Sequence, residues 1–241
     1  MTTVLRVGDR TITAEEIIPL LAGYQLLPPL LREIIIDQAI ASVECTPEEK
    51  TKASGQFFEQ NQITDEAAQQ AWAARQGMTL PQLEALATRG LKVEKFKQAT
   101  WGHKLESYFL SRKAQLDRVI YSLLRTQDPG IAQELYFRIE EGEQSFADLA
   151  REYSQGPEAQ TGGLIGPVEL STPHPTLAQL LRMTKPGQLC PPTRLGEWLV
   201  IVRLEKFMPA QLDAPMCQRL LNECFNTWLS EQLNQQLAVG H

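Results

Sequence analysis

No stretch of this sequence approaches the roughly 20 consecutive apolar residues of a membrane-spanning helix. No basic run interleaves with aromatic residues, so nucleic acid is not an expected partner. Charge of either sign is modest: 23 Lys and Arg stand against 29 Asp and Glu, a net −6, which favours solubility and implies little else. Cysteine and histidine are scarce. Cys45, Cys190, Cys217 and Cys224 are widely spread, no pair has metal-ligand spacing, and His103, His174 and His241 lie far from them; neither a metal nor a cofactor is expected. Cys217 and Cys224 share a helical face and read as small buried hydrophobes, and reduced thiols suit a cytosolic setting. Met1 to Arg10 has no basic region followed by an apolar core, which points to a cytoplasmic location. Gly-x-Ser-x-Gly, phosphate-loop and dinucleotide fingerprints are missing, and Gly162-Gly163 is not followed by Lys and Ser or Thr. A hydrolase or nucleotide enzyme of those kinds is thereby excluded.

What is present begins with helices. At 43% hydrophobic content the chain can bury a full core, in one large or two modest domains. Residues 1–116 read as mostly helical after a small hairpin, Val4 to Val7 and Thr11 to Thr13 around Gly8-Asp9-Arg10. Thr13 with Glu16 and Thr46 with Glu49 have capping-box spacing, the second with Pro47 at the first helical position. Leu30, Leu31, Ile34, Ile35, Ala39, Ile40 and Val43 recur as a stripe, giving a helix near 29–45 that buries a wide face. Further helices are expected over 47–60, 64–76 and 79–89, with Gly77 and Gly90 as C-terminal caps. Leu91 to Gln115 is the longest unbroken helical candidate, carrying Phe96, Trp101, Leu105, Tyr108 and Phe109.

At 118–125 the character changes to a β-branched and aromatic run. Asp128-Pro129 starts a helix that ends near Gly142, and Ser145 with Asp148 caps the next. Strands are expected at Gly166 to Glu169 and Trp198 to Leu204, a short helix at Thr176 to Met183, and an edge segment near Leu189. Asp213 caps a last helix, whose stripe of Cys217, Leu220, Leu221, Cys224, Phe225, Trp228, Leu229, Leu233 and Leu237 must pack somewhere. The economical answer is the helical first domain; the alternative is a partner or a second copy.

The order and spacing of Phe146 to Ser154, Gly162-Gly163-Leu164-Ile165-Gly166, Lys185-Pro186-Gly187 and Gly196 to Leu204 resemble a parvulin-type (PpiC, or rotamase) peptidyl-prolyl isomerase domain over roughly 118–207. The resemblance implies an α+β fold: a small antiparallel sheet wrapped by helices, beside a mostly helical chaperone-like domain completed by the C-terminal helix. The expected boundaries are 1–116, 117–208 and 209–241, an arrangement similar to that of bacterial secretion-linked parvulin foldases.

Prolyl isomerisation must lower an amide-resonance barrier of about 18–20 kcal/mol, and it needs no covalent step. The enzyme grips the proline ring in an apolar pocket and favours the twisted amide. Parvulins pair that pocket with two facing histidines, a Cys or Asp, a Met or Leu, and a Phe. By the resemblance, the histidine positions fall here at Tyr121 and Trp198 and the Cys or Asp at Gly156. The Met or Leu falls at Pro173, the Phe at Leu177, a second aromatic at Arg182, and an acidic residue at Leu164. No catalytic residue is therefore assigned. His174, between two prolines, is the one imidazole placed near the cleft. The substitutions have two compatible readings. Tyr121 and Trp198 fill the space of two imidazoles as an aromatic pair, contributing about 0.5–1.5 kcal/mol. Alternatively, Tyr121, Leu164, Pro173, Leu177, Leu180 and Trp198 line a cleft that still accepts a proline or other apolar side chain.

The expected function is a protein-folding factor that binds unfolded, proline-containing or export-bound polypeptides, secretion-system clients among them, with weak or lost isomerase activity. An active isomerase and a non-catalytic adaptor subunit are the alternatives.

Overall fold

The structure is a computed structural model that describes residues 3–239, with side chains described over 6–236; Met1, His241 and the Leu237 side chain lie outside it. The chain divides into two compact units, one of residues 1–105 with 214–241 and one of residues 106–213.

The first unit opens with a hairpin of β1 (Thr3–Val7) and β2 (Arg10–Thr13). Thr13 then starts α1 (Ala14–Gly23), its backbone N–H donating to Glu16 Oε2 at 2.8 Å. There follow α2 (Leu27–Ile40), α3 (Pro47–Gln60), α4 (Glu66–Arg75) and α5 (Leu80–Trp101). The Thr46–Glu49 capping box forms at the head of α3, and a second box, Thr79 with Gln82, heads α5. The last helix, α10 (Ala214–Val239), packs on α2 and α5. Its Phe225 and Leu229 are buried against Ile35, Ile36 and Ile40. Phe96, Trp101 and Trp228 close the cluster; the Phe96 and Trp228 rings lie 5.4 Å apart. The mostly helical domain is thus completed by the C-terminal helix.

Three helical expectations need correction. Gly90 caps nothing: α5 runs through it to Trp101, because tertiary packing outweighs the roughly 1 kcal/mol helix cost of one glycine. The break comes instead at a 3-10 turn over Gly102–Lys104, which splits the long 91–115 candidate and makes α6 (Leu105–Leu116) a separate helix. On α2 the buried stripe is rotated relative to the expected one: Ile35, Ile36 and Ile40 face the core while Leu30 and Ile34 are exposed. The helix also stops at Ile40, and Val43 joins the core from the turn beyond.

The second unit contains α6, where the sequence reading ends the helical domain at residue 116. Next come β3 (Arg118–Thr126), α7 (Pro129–Glu140), α8 (Phe146–Tyr153), a 3-10 turn (Pro157–Thr161) and β4 (Leu164–Glu169). The unit ends with α9 (Pro175–Met183), β5 (Leu189–Leu195) and β6 (Trp198–Met208). The four strands form an antiparallel sheet of order β4-β3-β6-β5. Pro191 and Pro192 are accommodated in β5 because it is an edge strand and its register shifts between Cys190 and Thr193.

Alternation along the two central strands gives the sheet two unlike faces. Leu124 and Ile201 point to one face and are fully buried with Leu135, Phe146 and Leu149 of α7 and α8. Val119, Tyr121, Leu123, Val200, Val202 and Leu204 point to the other, where Leu177, Ala178 and Leu181 of the short α9 cover them. A nine-residue helix cannot roof the whole face. The uncovered part is the cleft.

Candidate functional site, a cleft over a buried ion pair

The open end of that face forms a cleft of about 360 Å³. Tyr121, Leu123 and Arg125 of β3 and Val200 and Trp198 of β6 make its floor; Ile165, Leu177, Pro173, His174 and Leu195 make its walls. The structure therefore brings together Tyr121, Pro173, Leu177 and Trp198 of the expected binding residues. It does not bring Leu164 or Leu180. Register explains the first: Tyr121 stands opposite Ile165 and Ser122 opposite Leu164. Directly opposed residues share a face, so Ile165 takes the cleft position and Leu164 is left half exposed on the other side. Leu180, itself on α9, is partly buried against the core and is not part of the cleft lining. Arg182 turns away and donates from Nη2 to the Ala114 carbonyl at 2.6 Å.

Tyr121 and Trp198 line one cleft without forming the expected aromatic pair. Tyr121 is paired with Leu204 and Trp198 with Leu195, so they occupy different levels of the sheet. The Trp198 ring instead lies 5.9 Å from the Arg125 guanidinium carbon, a contact of the cation–π kind. Tyr121 is only 5% exposed. Among the described residues its hydroxyl has no hydrogen-bond partner, and no buried side-chain oxygen or nitrogen is left unsatisfied; the hydroxyl therefore opens to the cleft. Burial raises the Tyr121 pKa, the Glu158 charge adds to the rise and Arg125 opposes it. The phenol is a neutral hydrogen-bond donor at ordinary pH.

Beneath Trp198 lies the site's one strong electrostatic element. Arg125 grips Glu158 with two bonds, Nε to Oε1 at 2.8 Å and Nη2 to Oε2 at 2.7 Å. The Glu158 side chain is 2% exposed and that of Arg125 29%. Ser154 Oγ donates to Glu158 Oε1 at 2.6 Å and accepts from the Arg125 backbone N–H at 3.1 Å. Burial by itself would raise the Glu158 pKa, but the bonds from Arg125 and Ser154 and the Arg125 charge outweigh it and hold the carboxyl below its usual range. Gly156 makes the arrangement possible. A Cβ there would collide with both Glu158 carboxylate oxygens and with Arg125 Nε. The position where the resemblance places a Cys or Asp is thus a glycine whose missing side chain is replaced in space by an ion pair.

That pair escapes a reading based on motifs, although two signals of it were available. Period-two alternation puts Arg125 on the face of Tyr121 and Leu123, where a guanidinium requires a partner, and Glu158 follows Gly156 by two residues in an otherwise small-residue loop. Gly163 has a different role: at φ +83° its Cβ would come within 2.8 Å of the Leu123 carbonyl oxygen, so glycine is needed for β4 to join β3. His174 lines the cleft mouth and caps α9, Nδ1 accepting from the Thr176 N–H at 3.3 Å.

A four-stranded antiparallel sheet in this order, wrapped by helices and holding an apolar cleft on one face, defines a small α+β domain of the rotamase class. Residues 126–206 match the family model described as the rotamase PPIC-type PPIASE domain; the match starts beyond Tyr121 and Arg125. The chain therefore carries a parvulin-type domain joined to a mostly helical N-terminal domain. It is 34% identical over 104 residues to the protein named Chaperone SurA of Shewanella sp. (strain MR-7) and of Shewanella oneidensis. That match covers 39% of this chain and 24% of those proteins, so the chain spans about a quarter of their length. The crystal structure of the peptidylprolyl isomerase PrsA from Bacillus cereus shares the fold, with a TM-score of 0.51 and 16% identity over 98% of this chain and 92% of that one.

Among the described residues no helix is long and apolar enough to cross a membrane, and no three His, Cys, Asp or Glu side chains cluster as a metal site.

Proposed function

We propose that this chain is a parvulin-like protein-folding factor that binds unfolded, proline-containing or export-bound polypeptides, and that its prolyl isomerase activity is weak or lost. One observation carries the reading: an apolar, partly open cleft persists where the family resemblance places the site, while the polar positions are held by Tyr121, Gly156 and Trp198 over the Arg125–Glu158 pair. Such a groove can seat an apolar or proline side chain. It holds no imidazole pair to polarise the amide, and the glycine replaces the Cys or Asp. The relatives named as chaperones support a folding role, and the reading extends it from a quarter of their length. A cytoplasmic location is part of the proposal, supported by the four free thiols, three of them partly exposed. An active isomerase is the second reading, favoured by the Tyr121 hydroxyl that opens to the cleft.

Titration of the full chain with a short Phe-Pro peptide, followed by backbone amide chemical shifts, tests the binding. Weak binding, micromolar or poorer, is expected, since a small groove buries little area and ordering a peptide costs free energy. Shifts should centre on Tyr121, Ile165, Leu177 and Trp198. Shifts confined to the helical unit would refute the cleft as the binding surface.

A further inference from the structure

The cleft's polar groups are few, and two of them are unsatisfied donors. Arg125 carries five N–H groups and spends two on Glu158. Among the described residues its Nη1 has no partner, and the side chain lines the cleft. Its charge is already matched by the buried carboxylate, so it offers directed N–H groups and little net field. The Tyr121 hydroxyl is the second donor. Both residues lie on the same face of β3, where alternate side chains point the same way, and an extended polypeptide laid along the cleft passes both. Leu123 lies between the two donors, with Leu177 on the adjoining wall.

We propose that the cleft reads an extended peptide through its backbone, Arg125 Nη1 and the Tyr121 hydroxyl each donating to a main-chain carbonyl on either side of an apolar or proline side chain seated between them. Glu158, Ser154 and Gly156 act as positioning residues: they fix the guanidinium and neutralise it, so carbonyl oxygens rather than anions are the matching ligands. The inference rests on the proposed peptide-binding reading of this cleft. It accounts for a feature that reading leaves unexplained, an Arg–Glu pair built into the floor of an otherwise apolar groove. It also implies tolerance of sequence, since a main-chain carbonyl is offered by every residue.

The test uses the full chain and a capped Ala-Ala-Phe-Pro-Ala-Ala peptide, with single carbonyls replaced in turn by thiocarbonyls, which are poorer acceptors of nearly the same shape. Two replacements should weaken binding, by up to about tenfold where Arg125 donates, the size of one ordinary hydrogen bond. Tyr121→Phe, which keeps the ring, should abolish the sensitivity at one of those carbonyls; Arg125→Met should abolish it at the other. A glutamate placed before the proline should change affinity less than about twofold. Peptide shifts in the cleft combined with a flat thiocarbonyl series, or with unchanged sensitivity in Tyr121→Phe, would overturn the backbone reading while leaving the cleft as the binding site. A gain of about tenfold from the glutamate would show that charge is read instead. Absence of any cleft shift would overturn both this inference and the binding proposal on which it rests.

Discussion

The two units of this chain close their cores in different ways. The sheet unit is continuous in sequence: every residue that buries Leu124, Ile201 or Leu204 lies between α6 and the end of β6. The helical unit is assembled from both ends of the chain, and the α10 residues Phe225 and Leu229 form its core with Ile35, Ile36 and Ile40. A continuous unit can keep its core whatever follows it. An assembled one depends on a segment far away in sequence. The cleft belongs to the continuous unit, so binding and the integrity of the helical unit should be separable.

Truncation after Pro209 should separate the behaviour of the two units most visibly. Each large apolar side chain lost from a core removes about 1.5–3 kcal/mol, and Leu221, Phe225 and Leu229 together approach the ~5–15 kcal/mol of a typical domain. The helical unit should unfold or aggregate while amide signals of 118–208 persist; loss of both sets at once would show that the units are interdependent. Next in size is Leu149→Ala on the closed face of the sheet, a fully buried side chain whose truncation should cost about 2–5 kcal/mol. Denaturant unfolding followed at the two units separately should show the loss in the sheet unit alone.

Glu158→Gln should destabilise the same unit by an amount at or below the low end of the ~3–5 kcal/mol seen when one partner of a buried pair is removed, because Arg125 keeps contact with water. The pH dependence has a definite sign. Glu158 is depressed in the folded state, so its contribution is present above the ordinary glutamate value of about 4.3 and is lost as pH falls through the lower folded value. The wild-type sheet unit should weaken in that acid window. Glu158→Gln should remove part of the dependence; identical acid profiles would show that the carboxyl is not held low. The smallest stability effect is expected for Trp198→Ala, a partly exposed residue at the cleft, yet it should remove most peptide binding and the indole response to peptide. Undiminished binding would place the peptide elsewhere.

Local chemistry made much of this fold legible. The Thr46–Glu49 and Ser145–Asp148 signals mark real helix starts because a cap is satisfied within four residues. The order of the sheet unit follows the spacing of the motifs around Gly162 and Gly196. Where packing decides, the sequence says less. Gly90 looks like a helix stop but lies within a 22-residue helix, and the α2 stripe is rotated because α10, distant in sequence, fixes which face is buried. Within the cleft, Tyr121, Pro173, Leu177 and Trp198, positions that only the family resemblance singles out, all contribute to the lining. Leu164 failed by a single residue, since strand register decides between it and Ile165. The Arg125–Glu158 pair joins β3 to the 3-10 turn beyond α7 and α8 and belongs to no motif, so only the folded chain reveals why position 156 is glycine.

The proposed function joins peptide binding at the cleft with weak or lost isomerisation. Exchange NMR of a short Phe-Pro peptide with the full chain measures both at once, the isomerisation rate from cis–trans exchange and the contact surface from the amides. Exchange close to the uncatalysed rate together with perturbed amides at Tyr121, Leu177 and Trp198 is expected; isomerisation at rates ordinary for a parvulin would refute weak or lost activity.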